Sequence, residues 1–327
     1  MLGAGSWGTT VAALVAPRSP TVLWARSSDV AHEINAEHKN ERYLPGVRLP
    51  RSLRASDSIE ETLRNADVVV MGVPSIGFRA VLEEVKRHLR PWVPIVSLSK
   101  GLEEKTHLRM TEMIEELLPG HPAGVLTGPN LAREIMGGFA AAAVVALDDE
   151  TIVKELQRLF SCGLFRVYTN HDVIGCEVAG ALKNVIAIAA GMGDGMGVGV
   201  NTRSAVITRG LAELTRLGMA MGGQPATFAG LAGMGDLIAT CTSPQSRNRH
   251  VGVELGKGRP IAEILGDMHM VAEGVKTSRV VVELAERYGV EVPIAREVFG
   301  VIYENQTARQ AYRGLVRRGA GAEHDPG

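Results

Sequence analysis

A lysine with small neighbours is the first residue of this chain that could do chemistry. Lys183 lies in the apolar stretch C-E-V-A-G-A-L-K-N-V-I-A-I-A-A-G, residues 176–191. At helical spacing the larger side chains of this stretch form a buried stripe, whereas the turns that carry Lys183 hold Ala179, Gly180 and Ala187. Side chains this small would not block a molecule that approaches the ammonium group. We therefore interpret Lys183 as a residue presented to a ligand.

Two polar clusters later in the chain could complete a site for an anionic substrate. Asp236 and Thr240 are spaced i, i+4 and would share one face of a helix. Residues 243–249, S-P-Q-S-R-N-R, place two arginines, an amide and hydroxyls in what we expect to be a short polar turn. Because arginine offers phosphate a bidentate fork, this turn predicts a phosphate site. A helix-capping Asp236 and a solvated basic turn are the alternatives.

The amino terminus carries a pattern that is typical of dinucleotide binding. Residues 3–8 read G-A-G-S-W-G and lead into an apolar helix. In this G-x-G-x-x-G pattern, Gly3 would form the tight turn, Gly5 would let the backbone approach a pyrophosphate, and Gly8 would let the helix pack on a strand. The amino end of the helix would attract the phosphates.

Only Met1 and Leu2 precede this pattern, where the fold needs a whole central strand. Such a strand usually has about five to six residues and pairs with a neighbour on each side. We therefore expect the natural chain to begin upstream of Met1, so that the first strand is truncated in this sequence.

The second strand, Thr21–Ala25, is followed by residues that bear on cofactor choice. An enzyme specific for NAD usually carries an acidic residue here, which accepts hydrogen bonds from the ribose hydroxyl. This chain has Arg26, Ser27 and Ser28 instead, which suit a 2′-phosphate, while the nearby Asp29 leaves the choice open. The cofactor is therefore expected to be NADP(H), NAD(H) or both.

Further apolar runs alternate with amphipathic helices through the first half and predict a doubly wound parallel sheet. The predicted strands are Ala66–Val73, Val93–Leu98, Gly124–Thr127, Ala140–Ala146 and Phe165–Tyr168. Ligands of such sheets bind at the carboxyl ends of the strands. This nominates Pro74, Ser75, Ser99, Lys100 and residues 128–132.

The second half has helical patterns and almost no strand signal. We place a domain boundary near residues 169–173, which divides the chain into a dinucleotide-binding domain, 1–171, and a helical substrate domain, 172–327. The segment 191–199 has glycine at every second position. Because glycine disfavours helix and strand, we expect this segment to be a flexible connector.

Composition narrows the class of protein. The chain has 327 residues, 45% apolar and 22% charged, with a net charge of −1, so a globular protein is expected and nucleic acid is disfavoured as a partner. The three cysteines are widely spaced in apolar surroundings, which suits reduced thiols in a cytoplasm and shows no zinc spacing. Neither a signal peptide nor a stable membrane insertion is predicted.

Eight short strings give the chain a resemblance to the NAD(P)-dependent sn-glycerol-3-phosphate dehydrogenase family of bacterial, soluble type, along nearly its whole length. They occur in the family's order and are G-A-G-S-W-G-T at 3–9, V-L-W-A-R at 22–26, S-K-G-L-E at 99–103, T-G-P-N at 127–130, K-N-V-I-A-I at 183–188, G-D-L at 235–237, S-R-N-R at 246–249 and V-A-E-G at 271–274. The resemblance implies an α/β fold, with a Rossmann-like doubly wound sheet followed by an all-helical domain.

The resemblance also implies a role for each matched residue. Lys183 would be the proton acceptor, and the other catalytic residues would be Asp236, Lys100, Asn184 and Thr240. The dinucleotide would be contacted by Gly3, Gly5, Ser6, Trp7, Gly8, Arg26, Lys100, Gly128, Ala132, Arg247, Val271 and Glu273. The substrate, a small phosphorylated three-carbon molecule, would be contacted by Lys100, Gly128, Asn130, Lys183, Asp236, Ser246, Arg247 and Asn248. Asn130 departs from the family, which often has threonine there. No metal is implied, and a homodimer is expected.

These residues suit the interconversion of sn-glycerol 3-phosphate and dihydroxyacetone phosphate, which would supply glycerophospholipid synthesis. Hydride loss from a secondary alcohol requires a base for the hydroxyl proton, and Lys183 would serve if Lys100 lowers its proton affinity. Asp236 would oppose that effect while it orients the amine. Arg247 and Asn248 would hold the phosphate and so orient the substrate.

Two alternative functions are compatible with the same fold. A β-hydroxyacid dehydrogenase of similar build would need a carboxylate site in place of the phosphate site, which residues 246–249 disfavour. A protein that senses NADPH without turnover would give Lys183 and Asp236 no required role.

Overall fold

The computed structural model of the chain describes residues 1–268 and 272–317, which form two compact units. The first unit contains Met1–Lys100 and Leu108–Val173. The second contains Gly101–His107 and the chain from Ile174 onward. A short inner segment of the sequence thus belongs with the carboxyl-terminal half.

Strands and helices alternate through the first unit, in agreement with the α/β pattern of the sequence. The strands are β1 (Val22–Trp24), β2 (Arg54–Ser56), β3 (Val69–Met71), β4 (Ile95–Ser97), β5 (Ala123–Thr127), β6 (Ala141–Ala146) and β7 (Phe165–Asn170). The helices are α1 (Ser6–Val15), α2 (Ser28–Glu37), α3 (Ile59–Leu63), α4 (Ser75–His88), α5 (Met110–Leu117), α6 (Ala132–Met136) and α7 (Glu150–Phe160). The β2 strand was not predicted, because its three residues, R-A-S, show no apolar run.

The strands form one sheet in the order β2, β1, Leu2, β3, β4, β5, β6, β7. All neighbours are parallel except β5 and β6, which are antiparallel, with Leu126 opposite Val145. The sheet is therefore parallel, as predicted, except at this pair. The link between β5 and β6 carries only the five-residue helix α6, so the chain turns back beside β5 instead of crossing a face of the sheet.

Met1 and Leu2 occupy the central strand position that the sequence predicted. The Leu2 amide donates to Val70 O at 2.8 Å, and Leu2 O accepts from the Gly72 amide at 2.7 Å. On the other side, the Trp24 amide donates to Met1 O at 2.8 Å. The two residues therefore pair with both neighbouring strands, and the prediction that the natural chain begins upstream stays a prediction.

The sheet is buried on both faces where its central strands lie. Every residue of β3 and β4 is buried, as expected of parallel strands covered by helices. Phe78 and Leu82 of α4 pack against Met71 and Ile95 within one apolar cluster. This packing fixes the carboxyl ends of β3 and β4, from which the candidate loops extend.

The described part of the second unit beyond residue 173 is helical. Its elements are α8 (Val173–Met196), α9 (Val200–Ala220), α10 (Pro225–Phe228), a π-helical turn (Leu231–Gly235), α11 (Asp236–Thr242), α12 (Arg247–Gly256), α13 (Ile261–Gly266), α14 (Glu273–Tyr288), α15 (Pro293–Tyr303) and α16 (Ala308–Arg317). The helical stretch near residues 228–241 is interrupted, because the Gly233 backbone packs directly on Phe228.

The α8 helix is the core of this unit and is buried on all sides. Ala179, Gly180 and Ala187, which we expected to line an open face, are buried. They are covered because a helix that is apolar all round packs against neighbours on every side. Within the described residues, α8 alone is long and apolar enough to cross a membrane, and 83% of its most apolar window is buried inside the protein.

The glycine-rich segment is helical up to Met196, so the prediction of a flexible connector is wrong for its first part. A Cβ atom at Gly191 would lie 2.2 Å from Arg249 O, and one at Gly195 would lie 2.2 Å from Val253 O. The glycines are therefore needed for backbone contact with α12, and that packing outweighs their low helix propensity. Only the end of the segment, which includes Gly199, connects α8 to α9.

Residues 101–107 are attached to the second unit by side-chain contacts. Leu102 is buried in the same apolar cluster as α8. His107 Nε2 lies 2.8 Å from a carboxylate oxygen of Glu283, and Lys276 Nζ lies 3.4 Å from one of Glu104. These contacts anchor both ends of the segment.

A buried carboxylate links α9 to α15. The two carboxylate oxygens of Glu213 accept hydrogen bonds from the Ile294 amide at 2.7 Å and the Ala295 amide at 3.2 Å. These amides belong to the first turn of α15, where backbone donors have no partner within the helix. Glu213 therefore caps α15 from a neighbouring helix.

We expect Glu213→Ala to lower the free energy of unfolding by about 1–3 kcal/mol, because it leaves buried amides unpaired. The measurement is the thermal midpoint by far-UV circular dichroism. Glu286→Ala is the matched control, since Glu286 is exposed on α14. Equal midpoints for the two variants would contradict the capping role.

Candidate active site

The turn before α1 is shaped for close approach by an anion. Gly3 has φ of 109°, and a Cβ there would lie 2.6 Å from Gly72 O. A Cβ at Gly8 would lie 2.1 Å from Gly3 O, so both positions require glycine. At Gly5, in contrast, a Cβ would meet nothing within 4 Å. Gly5 thus leaves open space at the amino end of α1, where no side chain caps the helix. This arrangement fits the pyrophosphate of a dinucleotide.

Ser6 and Trp7 support this turn in different ways. The Ser6 hydroxyl donates to Tyr43 O at 2.5 Å, so the Ser6 side chain is engaged within the protein. The Trp7 ring packs edge-on against Phe165 at 6.0 Å, and its Nε1 is buried without a hydrogen-bond partner among the described residues.

Asn40 is a supporting residue that sequence reasoning missed. Its side chain is buried, and its Nδ2 donates to Ala4 O at 2.9 Å and to Thr9 Oγ1 at 2.8 Å. It thereby ties the glycine turn to the first turn of α1. No pattern in the sequence marks it, because the contact spans more than thirty residues of chain.

Arg26 lies two residues after the end of β1 and is exposed. No hydrogen bond or ion pair holds its guanidinium within residues 1–268 and 272–317. Asp29 is also exposed, in the first turn of α2. Both charges are therefore accessible to a ligand near the end of this strand.

Lys100 and Asn130 lie after the carboxyl ends of β4 and β5. Lys100 Nζ donates to Gly128 O at 2.8 Å, so these two predicted residues are in contact. Gly128 has φ of 125°, which favours glycine. Both amide atoms of Asn130 are buried without a partner among the described residues. Because buried polar atoms are normally paired, Asn130 is suited to a polar ligand. Ala132 begins α6 nearby.

Lys183 forms the centre of a buried polar cluster in the second unit. Its Nζ donates to Asp236 Oδ1 at 2.7 Å and also to Thr240 Oγ1. The Thr240 hydroxyl donates to Asp236 O at 2.6 Å. Lys183 is 4% exposed and Asp236 2%. The predicted i, i+4 pair on α11 is confirmed, and it is aimed at the lysine rather than at solvent.

Such a cluster can hold and transfer a proton. A buried carboxylate beside an amine stabilises the ammonium form and fixes its direction. Cys241 lies in the same region, but burial raises the pKa of its thiol to about 12. Its thiol therefore stays protonated near neutral pH and is no nucleophile.

The predicted polar turn at residues 243–249 is instead the start of α12, and its two arginines point to different partners. Ser246 caps the helix, because its Oγ accepts from the Arg249 amide at 3.2 Å. Arg249 Nε donates to Asp194 Oδ2 at 2.9 Å, so Arg249 does not form a fork with Arg247. The helical turn separates the two side chains.

Arg247 is the arginine that stays accessible at the start of α12. The residue as a whole is exposed. Desolvation of its guanidinium nevertheless lowers the pKa of Arg247, whereas the negative charge of Glu273 acts to raise it. Glu273 is the first residue of α14. Val271, the other predicted cofactor residue in this segment, lies outside the described residues.

Asn248 and Asn184 are bonded to each other. Asn248 Nδ2 donates to Asn184 Oδ1 at 2.9 Å, and its Oδ1 accepts from the Gly274 amide at 3.0 Å. Hydrogen bonds thus join Asn184 on α8 to Asn248 on α12, next in sequence to Lys183 and Arg247 respectively. Gly274 is a participant that sequence reasoning missed, although it lies in the matched V-A-E-G string.

A glycine turn at a helix amino end and a buried amine held by a carboxylate are the parts of a dehydrogenase that uses a dinucleotide. Comparison with known proteins agrees. The family described as NAD-dependent glycerol-3-phosphate dehydrogenase matches through its N-terminus at residues 1–153 and its C-terminus at residues 172–313. The chain belongs to this family.

Individual relatives are similar over their whole length. The chain is 61% identical over 327 residues to glycerol-3-phosphate dehydrogenase [NAD(P)+] 2 of Sphingopyxis alaskensis, covering 100% of this chain and 98% of the relative. It is 58% identical to the Mycobacterium avium glycerol-3-phosphate dehydrogenase [NAD(P)+], covering 99% and 95%. Among solved structures, the Coxiella burnetii glycerol-3-phosphate dehydrogenase has a TM-score of 0.93 at 36% identity, covering 97% of this chain and 98% of that one.

Arg26→Asp should shift cofactor preference from NADPH toward NADH. An arginine can pair with the 2′-phosphate, whereas an aspartate repels it and accepts from the 2′-hydroxyl. The measurement is kcat/KM for each cofactor. Arg51→Asp, at another exposed arginine of the first unit, is the control for the change in net charge. If the ratio of kcat/KM for NADPH to that for NADH is the same in both variants, Asp29 or backbone groups determine the cofactor preference.

Proposed function

We propose that this protein interconverts sn-glycerol 3-phosphate and dihydroxyacetone phosphate with NAD(H) or NADP(H). The observation that carries the proposal is the buried cluster of Lys183, Asp236 and Thr240. The relatives' names, which specify glycerol-3-phosphate dehydrogenase activity with NAD(P)+, support it. In this proposal residues 1–171 bind the cofactor and residues 172–327 bind the substrate.

The bound nicotinamide would accept or supply the hydride. In the oxidising direction, neutral Lys183 takes the proton of the substrate's secondary hydroxyl as its carbon loses hydride. In the reducing direction, the Lys183 ammonium gives a proton to the carbonyl oxygen as hydride arrives. Asp236 and Thr240 hold the amine in one direction throughout, because both accept from its Nζ.

The substrate phosphate would be held by Arg247, with Ser246 and Asn248 beside it at the start of α12. The guanidinium supplies bidentate donors, and the amino end of α12 adds a favourable dipole. Lys100, Gly128 and Asn130 are also proposed to contact the substrate, and the unpaired amide of Asn130 supports this. Binding energy at the phosphate would orient the reacting carbon.

The proposal extends to the cellular role. Glycerol 3-phosphate is the backbone on which glycerophospholipids are built, so we propose that the enzyme supplies phospholipid synthesis. We propose a cytoplasmic homodimer, with no nucleic-acid partner and no stable membrane insertion.

The assay that tests the function follows NADPH absorbance after addition of dihydroxyacetone phosphate. A dehydrogenase for β-hydroxyacids would oxidise NADPH with a keto acid instead, and a sensor would bind NADPH without turnover. The proposal would be refuted if dihydroxyacetone phosphate were turned over neither with NADH nor with NADPH.

Lys183→Ala should keep the fold and NADPH binding but lower kcat by about 10²–10⁴-fold, the usual contribution of general acid–base catalysis. Lys257→Ala is the control, because Lys257 is half-exposed and pairs with Glu254. Near-normal kcat in Lys183→Ala would remove Lys183 from the mechanism.

Arg247→Ala should raise KM for dihydroxyacetone phosphate by roughly 10- to 100-fold, with a smaller effect on NADPH. Loss of a charge-assisted hydrogen bond costs about 1.5–3 kcal/mol, which corresponds to that range. Steady-state kinetics with each substrate varied in turn measures it. Arg259→Ala serves as the control, since Arg259 pairs with Glu254 and Asp267. An unchanged KM would show that Arg247 is a solvated surface residue that does not bind the substrate phosphate.

A further inference from the structure

Three helices of the second unit meet at one buried amide. Asn248, on α12, donates to Asn184 on α8 and accepts from the backbone of Gly274 on α14. Asn184 is 5% exposed and Asn248 9%. Because an unpaired buried amide is costly, the separation of the three helices is tied to this hydrogen-bonded bridge.

Two glycines allow the bridge to form. A Cβ at Gly274 would lie 2.7 Å from Asn184 O and 2.9 Å from Asn248 Oδ1. A Cβ at Gly252 would lie 2.1 Å from Ile188 O, one turn along α8 from Asn184. Any side chain at either position would force the helix that carries it away from α8, since these distances are well inside normal contact.

The contact between α8 and α12 continues beyond the bridge. A Cβ at Gly256 would lie 2.4 Å from Met192 O, and one at Gly195 would lie 2.2 Å from Val253 O. The paired positions advance together along both helices, so the two helices run in the same direction with their backbones touching. Interiors this tightly packed transmit a displacement rather than absorb it.

The residues beside the bridge are those assigned to catalysis and binding. Lys183 precedes Asn184, Arg247 precedes Asn248 and Glu273 precedes Gly274. We propose that Gly252 and Gly274 are positioning residues: by letting α8, α12 and α14 touch, they set the distance between the proton-transferring amine and the phosphate-binding guanidinium. This inference rests on the proposed function.

A fixed distance matters because the substrate carries its carbonyl and its phosphate on one short chain. Binding energy at the phosphate lowers the barrier only if the carbonyl then lies against Lys183. A misplacement of about 1 Å can cost roughly 10²-fold in rate. A substrate without phosphate does not use Arg247, so its slow turnover should be insensitive to this distance.

The experiment compares dihydroxyacetone phosphate with unphosphorylated dihydroxyacetone, with NADPH as the reductant. The quantity is the ratio of the two kcat/KM values for the wild type, Gly252→Ala, Gly274→Ala and the control Gly266→Ala. A Cβ at Gly266, at the exposed end of α13, would meet nothing within 4 Å. Arg247→Ala gives the ratio expected when the phosphate contact is lost.

We expect the ratio to fall by roughly 10- to 100-fold in Gly252→Ala and Gly274→Ala, the scale of such a misplacement, and to stay unchanged in Gly266→Ala. Turnover of dihydroxyacetone should stay within a few-fold of wild type. A loss of both activities in proportion, or failure of both variants to fold, would show that these glycines serve stability alone and would overturn the proposal. If the wild type itself does not turn over dihydroxyacetone phosphate, the proposed function fails; if only Arg247→Ala lowers the ratio, the positioning inference alone fails.

Discussion

The ion pair between Lys183 and Asp236 is the constraint on which the second unit depends. Burying either charge alone would cost several kcal/mol, so each residue needs the other at hydrogen-bonding distance. The α8 helix can therefore be buried with an ammonium group inside, because α11 brings a carboxylate to Lys183. The π-helical turn just before Asp236 adds a backbone irregularity at this point, as such turns often do at functional sites. The reactive amine thus lies inside the packed core of the unit, and a carboxylate from a second helix holds it there.

Close backbone contact occurs at the glycine turn of the first unit and at the Asn248 bridge of the second. In the first unit, Gly3 and Gly8 let the phosphate turn lie against the sheet. In the second, Gly252 and Gly274 let three helices touch at Asn248. In both places the missing side chain brings rigid elements together, so that ligand groups project from a fixed frame. At Gly5, where a ligand is expected to approach, open space is left instead.

Much of the fold could be predicted, because its determinants are local. The apolar runs around Val69–Met71 and Ile95–Ser97 require strands buried on both faces, and the matched strings mark Lys183 and Asp236. What failed depends on partners distant in sequence. The glycines at 191 and 195 are helical because α12 supplies a backbone to pack on, and no local pattern contains α12. The antiparallel direction of β6 is equally invisible, since an apolar run is the same in either direction. The separation of Arg247 from Arg249 follows from the helical turn that Ser246 begins.

Residues 101–107 lie early in the chain but belong to the second unit. They are made well before the rest of the helical unit, yet Leu102 belongs in that unit's apolar cluster and His107 pairs with Glu283. If the chain were cut near residue 173, Leu102 would remain on the first fragment. The apolar cluster of the second fragment would then lack this side chain. A single division of the chain near residue 173 would therefore not separate the two structural units, because the second unit includes residues 101–107.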